Sequence, residues 1–200
     1  LNNESIHASV AFFIKRMPAH LRFLIISRSE PSFSLARFAS SSDLFRIDAT
    51  DLNFTVSEGK QYFQLMNMNL SSVQVEQLHK QTEGWVTGMK LAALSLQEGR
   101  EYSHLIESLT GSHRYFSDYL FHEVFSLQPE EVQVFLLRTS ILNRFQAPLC
   151  EAVSGQTNSQ QRLEQLEHSN LFLIPLDETR DWYRYHHLFA DFLEQRLRKE

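Results

Sequence analysis

Between residues 53 and 168, apolar side chains recur at helical spacing in one segment after another, and no strand pattern interrupts them. Each segment has its own start signal. Thr55 or Ser57 precedes Tyr62 and Phe63, Ser71 and Ser72 precede Val75 and Leu78, and Gly84 precedes the run from Trp85 to Leu96. Residues 113–125 carry an apolar stripe of Tyr115, Tyr119, Leu120 and Val124. Pro129 suits the first position of a further helix, in which Val132, Phe135, Leu136 and Thr139 fall at i, i+3, i+4 and i+7. Helices at 147–153 and 159–168 follow. Two β-prone runs, 171–176 and 182–186, then flank a polar break, with Pro175 marking an edge strand. A last helix places Leu188, Phe189, Phe192 and Leu193 on one face. Three helices followed by a two-stranded wing is the order of a winged helix.

The first fifty residues read differently. Ile6, Val10, Phe13, Ile14 and Met17 keep helical spacing up to Pro18. Residues 21–28 are then a short, almost continuous apolar run that stops at polar residues, as a strand buried on both faces of a parallel sheet would. Residues 44–48 give a second strand after the connector Ser40-Ser41-Ser42. The expected fold is therefore mostly α with a small α/β portion. Its domains are the edge of an α/β domain at 1–52, a helical domain at 53–127 and a winged-helix domain at 128–200.

Two hundred residues bury a core without a disulfide or metal, and 16 Phe beside only 6 Gly and 5 Pro exclude disordered and collagen-like classes. Nineteen Lys and Arg against 24 Asp and Glu give a net charge of -5, the wrong sign for a nucleic-acid footprint over the whole surface. The single Cys150 closes no intramolecular disulfide and builds no CxxC knuckle; beside Ala147, Leu149 and Val153 it reads as core. No apolar run approaches the ~20 residues of a membrane span and no signal-peptide pattern opens the chain, so no membrane partner and a cytoplasmic location are expected. Leu1 stands ahead of one helical pattern and Glu200 within another, which reads as a segment of a longer protein.

The chain holds no HExxH, GxSxG or GxxxxGK[ST], so it lacks an autonomous active site, and no catalytic residue is assigned. Asp118 and His122, four apart on a helix, can share a metal, but solvated polar residues are far commoner at that spacing, and no metal site is assigned. Ser27-Arg28-Ser29 ends the first strand, where ligands bind in open α/β sheets; Arg28 reads either as a phosphate ligand or as a loop arginine. In Thr82-Glu83-Gly84-Trp85-Val86-Thr87-Gly88 a Trp stands between two glycines at a helix start, offering a flat face to a nucleotide base or to a neighbouring helix. His186 and His187 sit at a strand-to-helix junction. Adjacent side chains diverge, which argues against one shared ion; His186 reads as a phosphate or carboxylate donor or as a satisfied junction histidine.

Together these residues resemble a family. The run Leu24-Ile25-Ile26-Ser27-Arg28-Ser29-Glu30-Pro31, then Thr82-Glu83-Gly84-Trp85 leading into Leu91-Ala92-Ala93-Leu94-Ser95-Leu96, is similar to the ATP-dependent, LuxR-type transcriptional regulators of the MalT type. The likeness continues through Gly111-Ser112-His113-Arg114-Tyr115, Phe135-Leu136-Leu137-Arg138-Thr139-Ser140 and Tyr183-Arg184-Tyr185-His186-His187-Leu188-Phe189, spanning nearly the whole chain in order.

The resemblance implies a STAND-class signal-transduction ATPase module that holds ADP at rest and ATP, with Mg, when active. On it, residues 1–52 become the C-terminal edge of a P-loop ATPase sheet. Arg28 matches the arginine that reads the γ-phosphate. Gly84, Trp85 and Val86 match a Gly-x-Pro motif against the adenine, with Val86 replacing the proline. His186 matches a winged-helix histidine on the β-phosphate, although His187 stands where relatives have Asp. The phosphate loop would lie upstream, so these residues alone would neither hydrolyse ATP nor hold nucleotide tightly, and the whole protein would be a slow ATPase switch. It would self-associate, sense an inducer through a downstream domain and bind promoter DNA through a downstream helix-turn-helix. The competing readings are a winged helix that itself binds DNA, and a protein-interaction scaffold without nucleotide.

Overall fold

The computed structural model describes residues 4–18, 20–27, 31, 33, 35, 44–98, 101–108 and 113–199, the side chains of 4, 107 and 108 excepted. Helix α1 (Glu4–Lys15) opens the chain. A helical unit follows, made of α2 (Val56–Leu65), α3 (Ser72–Thr82), α4 (Val86–Gln97), α5 (Tyr102–Ser108) and α6 (Arg114–Leu120), the last running directly into a π-helical turn at Phe121–Phe125. Then come α7 (Glu130–Thr139), α8 (Ala147–Ser154), α9 (Ser159–His168), β1 (Leu173–Pro175), β2 (Tyr183–Tyr185) and α10 (His187–Leu197). Among the described residues no helix is long and apolar enough to cross a membrane.

Local chemistry sets the helix starts. Of the two candidate caps, Thr55 caps α2: its hydroxyl accepts from the Glu58 amide and the Glu58 carboxylate answers the Thr55 amide, a reciprocal pair that satisfies two otherwise orphaned donors. Ser71 and Gln74 repeat the arrangement at α3. Pro129 caps α7 from just outside the helix. Helix α5 was not expected, although Tyr102, Leu105 and Ile106 carry its short apolar stripe.

The wing pairs Leu173 with Tyr185, Ile174 with Arg184 and Pro175 with Tyr183, antiparallel. Phe145 bridges to the other side of Tyr183 through two backbone hydrogen bonds of 2.8 and 2.9 Å, which leaves β1 and its Pro175 at the edge.

Two buried cores result. One gathers Phe63, Val75, Leu78, Met89, Leu105 and Phe116 between α2 and α6. The other gathers Phe125, Phe135, Leu136, Phe145, Leu163, Tyr183, Phe189 and Leu193 from the π turn, the three helices, the wing and α10. Cys150 is fully buried in this second core, and burial pushes its thiol up to about 12. Helix α6 serves both cores, Phe116 in the first and Leu120 in the second, and Leu188 of α10 reaches into the first.

The strands expected at 21–28 and 44–48 are not formed among the described residues, outside which Arg28 lies. Residues 21–27 and 44–48 carry no ladder, and Leu24 and Ile26 are 79% and 88% exposed. A parallel strand takes all its backbone partners from neighbouring strands, and among the described residues none lies beside these segments.

Candidate functional site

Helix α3 ends in an unusual turn. Glu83 (φ 50°) and Gly84 (φ 76°) are both left-handed, so the chain reverses within two residues. The Gly84 carbonyl accepts from the Phe54 amide at 2.9 Å, and a Cβ on Gly84 would stand 2.7 Å from the Phe54 carbonyl oxygen. His79 Nε2 meets that same oxygen at 2.7 Å. The turn is therefore fixed to the segment before α2. Trp85 follows as the N-cap of α4, and its amide donates to the Thr82 carbonyl at 2.8 Å. Val86, which the resemblance sets against a proline, is the first helical residue, a position that tolerates proline because its amide has no intrahelical partner.

The winged helix meets this turn at the β2–α10 junction. His186, with extended backbone (φ -56°, ψ 132°), caps α10: its Nδ1 accepts from the Leu188 amide at 3.3 Å. Nε2 then carries the ring proton and donates to the Thr82 carbonyl at 3.0 Å. Both nitrogens are satisfied in a neutral ring, and burial, opposed in part by the Glu83 charge, pushes the imidazole down to about 4.

Glu83 is the polar centre of the contact. Arg184 Nη1 and Nη2 donate to its two oxygens at 2.9 and 2.7 Å, and His187 Nδ1 donates to Oε1 at 2.8 Å. Burial alone would raise this carboxyl, but the hydrogen bonds from His187 and Arg184 hold it well below the usual carboxylate range. The second ring nitrogen of His187, Nε2, is buried without a hydrogen-bond partner.

Trp85 forms the apolar floor. Its ring lies 5.0 Å from Phe172, 5.6 Å from Tyr119, 6.1 Å from His186 and 6.4 Å from Phe116, so it touches both cores. Phe172 is held at φ 55°, a strained conformation for a bulky residue, and its carbonyl accepts from the His186 amide at 2.8 Å.

The structure thus brings Gly84, Trp85, Val86 and His186 to one junction, while Arg28 lies outside the described residues. The expectation that His186 and His187 diverge is overturned. Their rings stack at 4.9 Å and 17°, because the kink between an extended cap and the first helical residue aligns them. As a result donor atoms of Glu83, His186 and His187 lie within 4.8 Å of one another, close enough for a metal ion. The Arg184 fork occupies the carboxylate and both His186 nitrogens are bonded, so protein partners account for the cluster. Asp118 instead faces Arg114 at 3.7 Å, and His122 packs against Phe121 in the π turn.

Glu83, Arg184 and His187 were not among the expected site residues. The available signal was local: a carboxylate at a helix C-terminus, opposing the helix dipole, in a position that favours glycine or asparagine. Helix α9, which stands where a DNA-reading helix would, carries Glu164 and Glu167, and its Arg162 pairs with Glu131 at 3.3 Å.

Comparison with known proteins adds the following. Residues 121–200 match a family model described as the MalT winged helix domain. Over 205 aligned residues the chain is 33% identical to the HTH-type transcriptional regulator MalT of Serratia proteamaculans (strain 568), an alignment covering 100% of this chain and 22% of that protein. The chain therefore spans about a fifth of the length of this curated relative.

Proposed function

We propose that this chain, which belongs to the MalT-like family and carries its winged helix domain at residues 121–200, is the nucleotide-responsive part of a transcriptional regulator. One observation carries the reading. The 82–86 turn and the 184–187 junction, about a hundred residues apart in sequence, converge on a single part-exposed polar site with an aromatic floor. Such a site suits a ligand with a flat ring and an anionic tail.

In this reading Gly84, Trp85 and Val86 face the base of ADP or ATP, and the 184–187 junction faces its phosphates. The nucleotide supplies a difference of one phosphoryl group, which Arg28 reads. Protein groups do the rest. Thr82 and His186 hold the winged helix against the helical unit, and Glu83 sets the charge at the seam. A ligand that prefers one docking state shifts the population toward it by its difference in affinity. Self-association, inducer sensing and promoter DNA belong to the same proposal for the whole protein. The acidic α9 argues against the wing as the DNA-binding element.

The test is equilibrium binding of ADP and ATP to the regulator and to its Trp85→Ala and His186→Ala variants. The reading expects ADP affinity to fall about tenfold or more in each, through the lost stacking surface at Trp85 and the lost docking contact of His186 with Thr82. Unchanged affinity in both refutes it.

A further inference from the structure

Glu83 occupies a position that disfavours it twice. Its backbone is left-handed at φ 50°, and its negative charge sits at the C-terminus of α3. What holds it there lies across the junction, in the Arg184 fork and the His187 ring. Both are groups that bind oxyanions in general, and neither is specific for a carboxylate.

We infer that Arg184 and His187 form a receptor for a phosphoryl anion, that Glu83 is its internal occupant, and that an incoming diphosphate competes with Glu83 for the same donors. The inference rests on the nucleotide reading above and moves the phosphate contact from His186 to its neighbours.

Three features support this assignment. His186 is 6% exposed and both its nitrogens are bonded, so it reaches a ligand only by giving up Thr82 or its own helix cap. The Arg184, His187 and Glu83 side chains are 33%, 35% and 26% exposed, so solutes can reach them. Second, a guanidinium that already donates through two nitrogens presents the same planar fork to a phosphate, and it does so without rearrangement. Third, the charges are unequal. A phosphate group brings roughly two negative charges to the Arg184 guanidinium, where the Glu83 carboxylate brings one.

Exchange would therefore release Glu83 from a locally unfavourable position and cut the charged ties between the 82–86 turn and β2–α10. The His186 to Thr82 bond and the Trp85 packing would remain. Glu83 is in this sense an autoinhibitory side chain, holding in its own protein the place of a ligand.

The experiment titrates inorganic pyrophosphate into the wild-type chain, Glu83→Gln, Arg184→Gln and the double variant, read by ³¹P line width. Urea unfolding confirms that each variant is folded. Glu83→Gln keeps the size and removes the competing charge, and it is expected to raise pyrophosphate affinity about tenfold. Arg184→Gln should abolish binding in either background. A folded Glu83→Gln with wild-type affinity overturns the inference, and so does a gain that survives Arg184→Gln. A parallel ADP titration separates the two readings. A pyrophosphate gain with ADP no tighter than pyrophosphate supports the receptor and refutes the nucleotide reading. ADP binding that ignores both substitutions supports the nucleotide reading and overturns the receptor.

Discussion

Replacing Gly84 by alanine tests whether the turn under the site is as confined as it looks. Two costs add. An alanine at φ 76° sits in the left-handed region, at about 1 kcal/mol. Its Cβ would also lie 2.7 Å from the Phe54 carbonyl oxygen, and because that atom is backbone it cannot rotate away. Relieving the clash moves the backbone of Phe54, whose amide donates to Gly84 and whose carbonyl receives His79, forfeiting a hydrogen bond worth about 1 kcal/mol. The expected loss is about 2–3 kcal/mol. Gly155 supplies the control: it is left-handed too, at φ 70°, but a Cβ there meets nothing closer than Arg138 Nη1 at 3.8 Å. Gly155→Ala should therefore cost about 1 kcal/mol, the backbone contribution alone. Urea unfolding at constant m-value reads both variants. Equal losses, or a Gly84→Ala loss under about 1 kcal/mol, would show that the approach of Phe54 does not constrain the turn.

Two further outcomes follow from burial. His186 is held neutral with its imidazole at about 4, against about 6.5 in an unfolded chain, so the unfolded state binds the proton first and stability falls with acidification. Between pH 7 and 5 that loss is about 2 kcal/mol. Glu83 contributes in the same direction mainly below about pH 5, as the pH falls through the ordinary carboxylate value toward its lowered one, so the His186 part is read above that. His186→Gln should remove that part of the pH dependence in urea unfolding, and a variant whose stability still falls as the wild type's does would assign the effect elsewhere. Cys150, fully buried with its thiol pushed up to about 12, should resist a water-soluble disulfide reagent in the folded protein and react at once in urea; fast native labelling would contradict its place in the core.

The parts of the fold that were legible in sequence are those specified by residues close together in the chain. Thr55 with Glu58, Ser71 with Gln74, and the two runs around residues 177–181 announced their helices and hairpin because each depends on neighbours a few positions away. Residues 21–27 failed the same reasoning because a parallel strand depends on partners that spacing cannot supply. The site divided along the same line. Trp85 between two glycines was visible as a motif. Glu83 was not, since the groups that make sense of it lie 101 and 104 residues away. His187 was set aside because side chains of adjacent residues diverge in a regular helix, whereas this pair straddles a helix boundary.

The 101-residue separation between Glu83 and Arg184 bears on how the protein folds as well as on what it binds. Pairs such as α2 with α3, or α7 with α8, join segments near in sequence and can form early. Bringing the 82–86 turn to the β2–α10 junction instead closes a loop of about a hundred residues, an entropic cost on the order of 4 kcal/mol if neither side were already ordered. That closure therefore comes after the local packing, with the two units largely built. Interactions formed after the folding barrier govern how fast the native state comes apart far more than how fast it is reached. The lifetime of the docked winged helix is in this way a kinetic property, and the few side chains around Glu83 set its rate.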